Sequence, residues 1–247
     1  MLFTFRTTQR SFAALAAAAV VALAAAGPAH AGLVTHFDGN FNQADWSVNQ
    51  ALTSGSSTHS ATQDTTPGLG NDSPFREMQH DVLMSGTGQP TFVNVRHLTS
   101  AFSYNPSVNG AIESIDMTMD AIILSVSSGT TPAVGHAFML VQDGVSYFYD
   151  LHDFTNTSWQ TFGFSGLVAA DFSTFDGQNP DFSDSGSEIQ FGYLRSNTNT
   201  GQTGDVHIRH GIDNFGVAIT TVPGPATLCA IAFAAVLARP RRRKLSA

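Results

Sequence analysis

Three groups of side chains in this 247-residue chain are of types that do chemistry, and the first is acidic. The run Glu113-Ser114-Ile115-Asp116-Met117-Thr118-Met119-Asp120 sets carboxylates at short intervals. Retaining glycoside hydrolysis needs two carboxyl groups about 5 to 5.5 Å apart across one bond. Strand alternation instead sends Glu113 to the face opposite Asp116 and Asp120, so no catalytic pair is assigned. A glycan-active hydrolase stays as an alternative that a bulge in this strand would reopen.

The second group is made of oxygen donors. Sixteen of the 19 acids are Asp, whose short carboxylates suit calcium, an ion that takes about 6 to 8 hard oxygens. Asp171, Asp176, Asp181 and Asp184 fall in one run without EF-hand spacing, which reads as an acidic loop. The third group is aromatic. Tyr147, Tyr149 and Trp159 carry amphipathic rings of the kind that stack on pyranose faces, although the tyrosines share a strand face with core residues and burial is the simpler reading. Nine histidines show no zinc spacing. No Ser-His-Asp order, phosphate loop or dinucleotide fingerprint is present.

The elements that must position these residues are strands. Between Gly32 and Thr221 the hydrophobic pattern has period two, punctuated by Gly, Asn, Ser, Thr and Pro, with no helix-length stripe. Strands are expected at Leu33 to Phe37, from Trp46, at Phe75 to Met84, Thr91 to Leu98, Ile115 to Ala121, Thr157 to Phe164, Glu188 to Ser196 and Ile212 to Thr220. Ala51 to Ser73 is Ser/Thr/Gly-rich and reads as a long exposed loop. In SIDMTMDAII, Ile115, Met117, Met119 and Ala121 take the core face, with Asp116, Thr118 and Asp120 on the solvent face. Asp143-Gly144 signals a type I′ hairpin. That turn predicts Gln142 opposite Val145, Leu140 opposite Tyr147 and Phe138 opposite Tyr149, with Leu151 on the same side. About ten such strands imply an all-β fold, an antiparallel double-sheet jelly-roll sandwich.

The two ends differ in kind from the middle. Arg6 and Arg10, the apolar stretch Ser11 to Ala26, and Ala29-His30-Ala31 form a signal peptide over residues 1–31, its helix cleaved before Gly32. The β-sandwich domain spans 32–221. The tail, 222–247, reads VPGPATLCAIAFAAVLARPRRRKLSA: a Pro-Gly-Pro break, a short apolar helix and a basic cluster. Its apolar part, Ala226 to Ala238, has 13 residues, against about 20 for a lasting membrane span. Cys229, the only cysteine, lies there, so the domain has no disulfide. Four cations, Arg76, Arg96, Arg195 and Arg209, face all 19 acids in the domain, a net charge of about −15. That excludes a nucleic-acid partner, which would require cations against phosphates.

Val222, Pro223, Gly224 and Pro225, followed by the apolar run and Arg241, Arg242 and Arg243, resemble the PEP-CTERM sorting signal of Gram-negative bacteria, with Gly224 standing where that pattern has Glu. The resemblance implies an exosortase-type processing enzyme as partner, export across the inner membrane, a transient membrane anchor, and a cell-surface or extracellular destination. FREMQHDV, FSYNPSVNGAIESIDMTMD, PDFSDSGSEIQFGYLRS and GIDNFGVAI resemble phrases of concanavalin- and laminin-G-like β-sandwiches. This likeness implies the architecture and not the ligand; sugar-binding jelly rolls that resemble it imply a structural calcium held by Asp213 and Asn214 with Asp38, and polysaccharide is the partner that the aromatic group would serve. A plain turn at Asp213-Asn214 is the simpler reading of the same residues.

The expectation is an exported, non-enzymatic surface or matrix protein that binds carbohydrate, with a purely structural or adhesive protein as another alternative. Mass spectrometry of the chain recovered from its native cell should give an N-terminus at Gly32 and a C-terminus lacking Arg241 to Arg243. Recovery of the intact 247 residues would remove both processing signals.

Overall fold

The computed structural model describes residues 32–71, 74–127, 133–200 and 204–222. The expected signal peptide with Ala29 and Ala31, and the tail from Pro223 onward with its flanking helix, lie outside the described residues. Among the described residues, no helix is long and apolar enough to cross a membrane.

Leu33–Thr221 holds eleven strands: β1 (Leu33–Asp38), β2 (Trp46–Thr53), β3 (Thr58–Asp64), β4 (Phe75–Val82), β5 (Thr91–Tyr104), β6 (Ile112–Val126), β7 (Val134–Gln142), β8 (Val145–Phe154), β9 (Gln160–Leu167), β10 (Ile189–Asn199) and β11 (Val206–Thr221). One sheet runs β3-β4-β11-β6-β9, with β1 also paired to β11, and the second runs β2-β5-β10-β7-β8. Pairing is antiparallel throughout these ladders. The two sheets bury their inner faces against each other, which makes an all-β antiparallel sandwich.

The hairpin β7–β8 shows how local chemistry sets register. Asp143 and Gly144 have φ of 52° and 76°, the left-handed pair a type I′ turn requires. Gln142 then faces Val145, Leu140 faces Tyr147 and Phe138 faces Tyr149. Leu151 departs from expectation: a register shift between His136 and Phe138 turns it outward, 52 % exposed. In β6, Ile115, Met117, Met119 and Ala121 are buried as their alternation demands.

The exposed loop expected over Ala51 to Ser73 is instead the end of β2 and all of β3. Both are edge strands, and β3 buries little, so its sequence lacks the apolar alternation that marks a strand. The segment expected over Thr157 to Phe164 pairs only from Gln160, and the last strand begins at Val206.

β11 is the strand on which the first sheet closes. β6 pairs along one of its edges, while β1 and β4 share the other, β4 reaching Ile212 and β1 starting at Phe215. Between them Asp213 and Asn214 form a bulge, with Asn214 at φ 51°. Asn71 fills the break, its backbone N–H donating to Asp213 Oδ2 at 2.8 Å.

The interior is apolar around Ile115, Met117, Phe138, Leu140, Phe172, Phe191 and Phe215. A second layer is not. Arg76, His80, His97, His136, Arg195 and His210 are each at most 1 % exposed.

Gly192 stands where β10 slips register against β5. A Cβ at that position would lie 1.9 Å from the His97 carbonyl oxygen, which is backbone and cannot swing away. Gly192→Ala is expected to cost about 3 kcal/mol, seen as a fall in Tm of roughly 10 °C. An unchanged Tm would mean that the two strands are not this close.

Candidate functional site

Residues that alternate outward from the five-stranded sheet build a second surface. Leu98 on β5, Leu194 on β10, Ala137, Met139 and Val141 on β7, and Phe148 on β8 form a small apolar cluster separate from the main core. Arg96 on β5 lies over it. Its guanidinium sits 5.2 Å from the Phe148 ring centre, and Nη1 donates to Ser146 Oγ at 3.1 Å. β5 and β8 are three strand spacings apart in the order β5-β10-β7-β8, about 14 Å on a flat sheet. An arginine cannot bridge that gap on a flat surface, so the sheet curls and this outer face is concave.

The floor combines apolar and polar groups. Arg96 Nε and Asn94 Oδ1 are buried atoms without a hydrogen-bond partner among the described residues, and burial lowers the Arg96 pKa from its ordinary value. Beyond Asn94 a pocket of about 190 Å³ is lined by Gly135, Asp153, Ser196 and Thr198. A Cβ at Gly135 would fall 2.1 Å from Ser196 Oγ and force that hydroxyl to turn aside. At the other end, Ser173 pairs with Phe148 through two backbone hydrogen bonds, and Phe175 packs on the Phe148 ring at 5.1 Å while remaining 68 % exposed. Phe92 and Leu52, 41 % and 42 % exposed, stand on the β5 and β2 side. The half-buried Arg96 and Asn94 side chains, the Ser196 and Thr198 hydroxyls and the exposed Phe175 ring can together hold a polyhydroxylated ligand.

The aromatic residues expected to stack on sugars do not come together there. Tyr147 is 8 % exposed and belongs to the main core, and Tyr149 packs against Phe164 and Phe172. Trp159 lies edge-on to Phe75 and donates its indole N–H to Leu69 O at 2.9 Å, so it pins the loop before β4. The aromatic rings on the outer face of the five-stranded sheet are instead Phe148, 6 % exposed, and Phe175, which packs on it. A register-level reading of the hairpin placed Phe148 opposite the core face, but nothing in sequence showed that Arg96 would reach it.

The expected cation ligands are each engaged in hydrogen bonds. Asp38 is taken up by its own turn, accepting from the backbone of Asn40 and Phe41 at 2.9 and 2.8 Å and from Trp46 Nε1 at 2.6 Å. Asp213 accepts from the backbone of Asn214 and Asn71, both at 2.8 Å. Asn214 Nδ2 and Asn71 Nδ2 each donate to Asp120 Oδ2 at 2.7 Å. Asp120, expected on a solvent face, is 4 % exposed because the loop carrying Asn71 covers it. It faces Asp213 directly across the β6–β11 ladder. Burial, then the charges of Asp120 and Asp38, push the Asp213 carboxyl up to about 6 against the pull of its two backbone donors. Among the described residues, no three His, Cys, Asp or Glu side chains converge as metal ligands.

The acidic β6 run forms no catalytic pair. Glu113 is exposed where alternation put it on the core face, since a register irregularity falls opposite it at Thr220/Thr221. Asp116 accepts from the Gly166 backbone at 2.7 Å, and Asp120 is enclosed as described.

Two antiparallel sheets with a concave, partly apolar outer surface define an all-β, two-sheet antiparallel sandwich. No protein-family model matches the chain, and no curated protein matches it. Solved structures similar to it include a family 11 carbohydrate-binding module from Clostridium thermocellum in complex with a β-1,3-1,4-mixed-linked tetrasaccharide, at 12 % identity over 79 % of this chain and 99 % of that one, TM-score 0.44. A carbohydrate-binding module described for specific mannan recognition, TmCBM27, gives 12 % identity over 77 % of this chain and 100 % of that one, TM-score 0.41. A Lotus tetragonolobus seed lectin gives 11 % identity over 77 % and 100 %, TM-score 0.38.

Proposed function

We propose that the domain is a non-enzymatic carbohydrate-binding sandwich, that its site is the concave face of the five-stranded sheet, and that the chain is exported and handled at its C-terminus by an exosortase-type enzyme. The observation that carries the binding site is Arg96, drawn across the curled sheet to Ser146 and lying with the exposed Phe175 ring against Phe148. The domain's charge of about −15 repels polyanions, so the ligand class is a neutral polysaccharide. Export and processing rest on the residue pattern of the two ends.

The test is affinity for a panel of soluble neutral polysaccharides, with a uronic-acid polymer as control. Arg96→Met keeps the apolar stem and removes the donors, and it should weaken binding at least about tenfold while Tm stays within a degree or two. Phe175→Ala, an exposed substitution, should weaken it several-fold. No binding across the panel would favour a structural or adhesive protein without a small ligand, and binding indifferent to both substitutions would place the site elsewhere.

Calcium is proposed as the cofactor, with its ligands redrawn to Asp120, Asp213, Asn214 and the Asn71 carbonyl. Support comes from two buried carboxylates at facing positions on β6 and β11. The amides of Asn71 and Asn214 would have to turn their oxygens toward the cation. Added calcium should then raise Tm by several degrees over an EDTA-treated sample at pH 7.5, and Asp213→Asn should abolish the difference. Equal Tm values in calcium and EDTA would leave the cluster to hydrogen bonding alone.

A further inference from the structure

The polar layer inside the sandwich is made of bases from both sheets with no acid among them. On one side lie Arg76 and His80 of β4 and His210 of β11, and on the other His97 of β5, His136 of β7 and Arg195 of β10. His80 and His210 meet edge to face at 4.6 Å, and His97 stacks on Tyr193 at 4.8 Å. Arg195 Nη1 donates to His136 Nδ1 at 3.1 Å and Nη2 to the Gly211 carbonyl at 3.2 Å. Since a guanidinium only donates, His136 accepts there and must be neutral.

Several nitrogens of this layer have no partner among the described residues: both on His97, both on His210, Nε2 of His80 and of His136, and Nε of each arginine. The carboxylates nearest to it are already engaged. Asp38 holds Trp46 and its turn, and Asp81 bonds His207, Gln79 and Thr58 on the outer side of β4. His59 of the neighbouring edge strand and His152 of β8 add further bases. A proton arriving on any of the four buried histidines would therefore meet cations in the layer itself, the only opposing charges among the described residues being Asp81 on the outer side of β4, felt at His80, and Asp150, already against His152.

We propose that this layer is an acid-labile lock: the sheets stay joined while its histidines are neutral and separate once an opened chain can take up protons. Burial pushes His80 down to about 4, against its hydrogen bond to Asn197. Burial first, then nearby bases, holds His97, His136 and His210 well below the ordinary 6.5. Below that value the unfolded chain binds more protons than the fold, so stability must fall as pH falls. The contribution is complete above about pH 6.5 and is lost progressively toward pH 4, by roughly tenfold in the unfolding constant per histidine per pH unit. Asp213 acts in the opposite sense: its raised carboxyl keeps a proton that the unfolded chain has released, which stabilises the fold as pH falls through about 6 and offsets about one of the four histidines.

Successive residues on a strand point to opposite faces, so His97 lies behind Arg96, and Arg195 behind Leu194. Loss of the lock would also dismantle the concave face, a consequence that rests on the glycan reading as the lock itself does not.

The experiment is unfolding of the full chain from pH 8 to 5, with proton uptake measured by calorimetry in buffers of different ionisation enthalpy. Tm should be level above pH 7 and drop steeply below 6.5, with at least two protons taken up per molecule at pH 5.5. His97→Phe with His210→Phe should cut the uptake by about two and flatten the slope. Uptake below one proton in the wild-type protein would overturn the lock whether or not the double variant folds, and so would a double variant with unchanged slope. Neither readout involves a glycan.

Discussion

One edge of β11 has to serve two partners, and the sandwich depends on how that is arranged. β1 and β4 arrive end to end along it, so the ladder is broken where one stops and the other begins. Backbone groups at such a break must find other partners or be left unsatisfied at a cost of about 1 to 3 kcal/mol each. The Asp213-Asn214 bulge and the Asn71 loop supply them, with Asp120 on the opposite edge receiving both side-chain amides. The sole cysteine, Cys229, lies in the tail, so no disulfide shares the work of joining these strands.

From that closure follows the division of the interior. β1 leads through the Asp38 turn to Trp46, which enters the opposite sheet and packs on Phe41, Tyr193 and Phe215. β4, on the other half of the shared edge, brings Arg76 and His80 inward between Met78 and Val82. There apolar burial is interleaved with stacked rings and guanidinium contacts. On β5 and β10 the same backbone that carries this layer inward carries the Arg96 surface outward, so core and candidate site are two sides of one set of strands.

Much of this was legible wherever alternation and turn chemistry agreed. The Asp143-Gly144 hairpin was readable to the residue, because positive φ at two positions leaves one register. β3 was not, because an edge strand buries too little to leave a pattern. Asp120 was assigned to an outward face correctly, but a period-two argument cannot know that a loop 49 residues away in sequence will cover that face. The histidine layer was not legible, because scattered basic residues leave no period, and only the fold brings four of them together in the interior. Arg96 escaped notice because its importance comes from sheet curvature, which no local pattern encodes.

Leu33 lies opposite Thr220, so the sandwich begins and ends at a single corner. Tension drawn through both ends would peel β1 from β11 one rung after another. Tension drawn through Thr221 alone would instead load a central strand gripped on both flanks, where many rungs have to shear together. Mechanically, the molecule is weak as a link in a string and strong as a weight hung from its last strand.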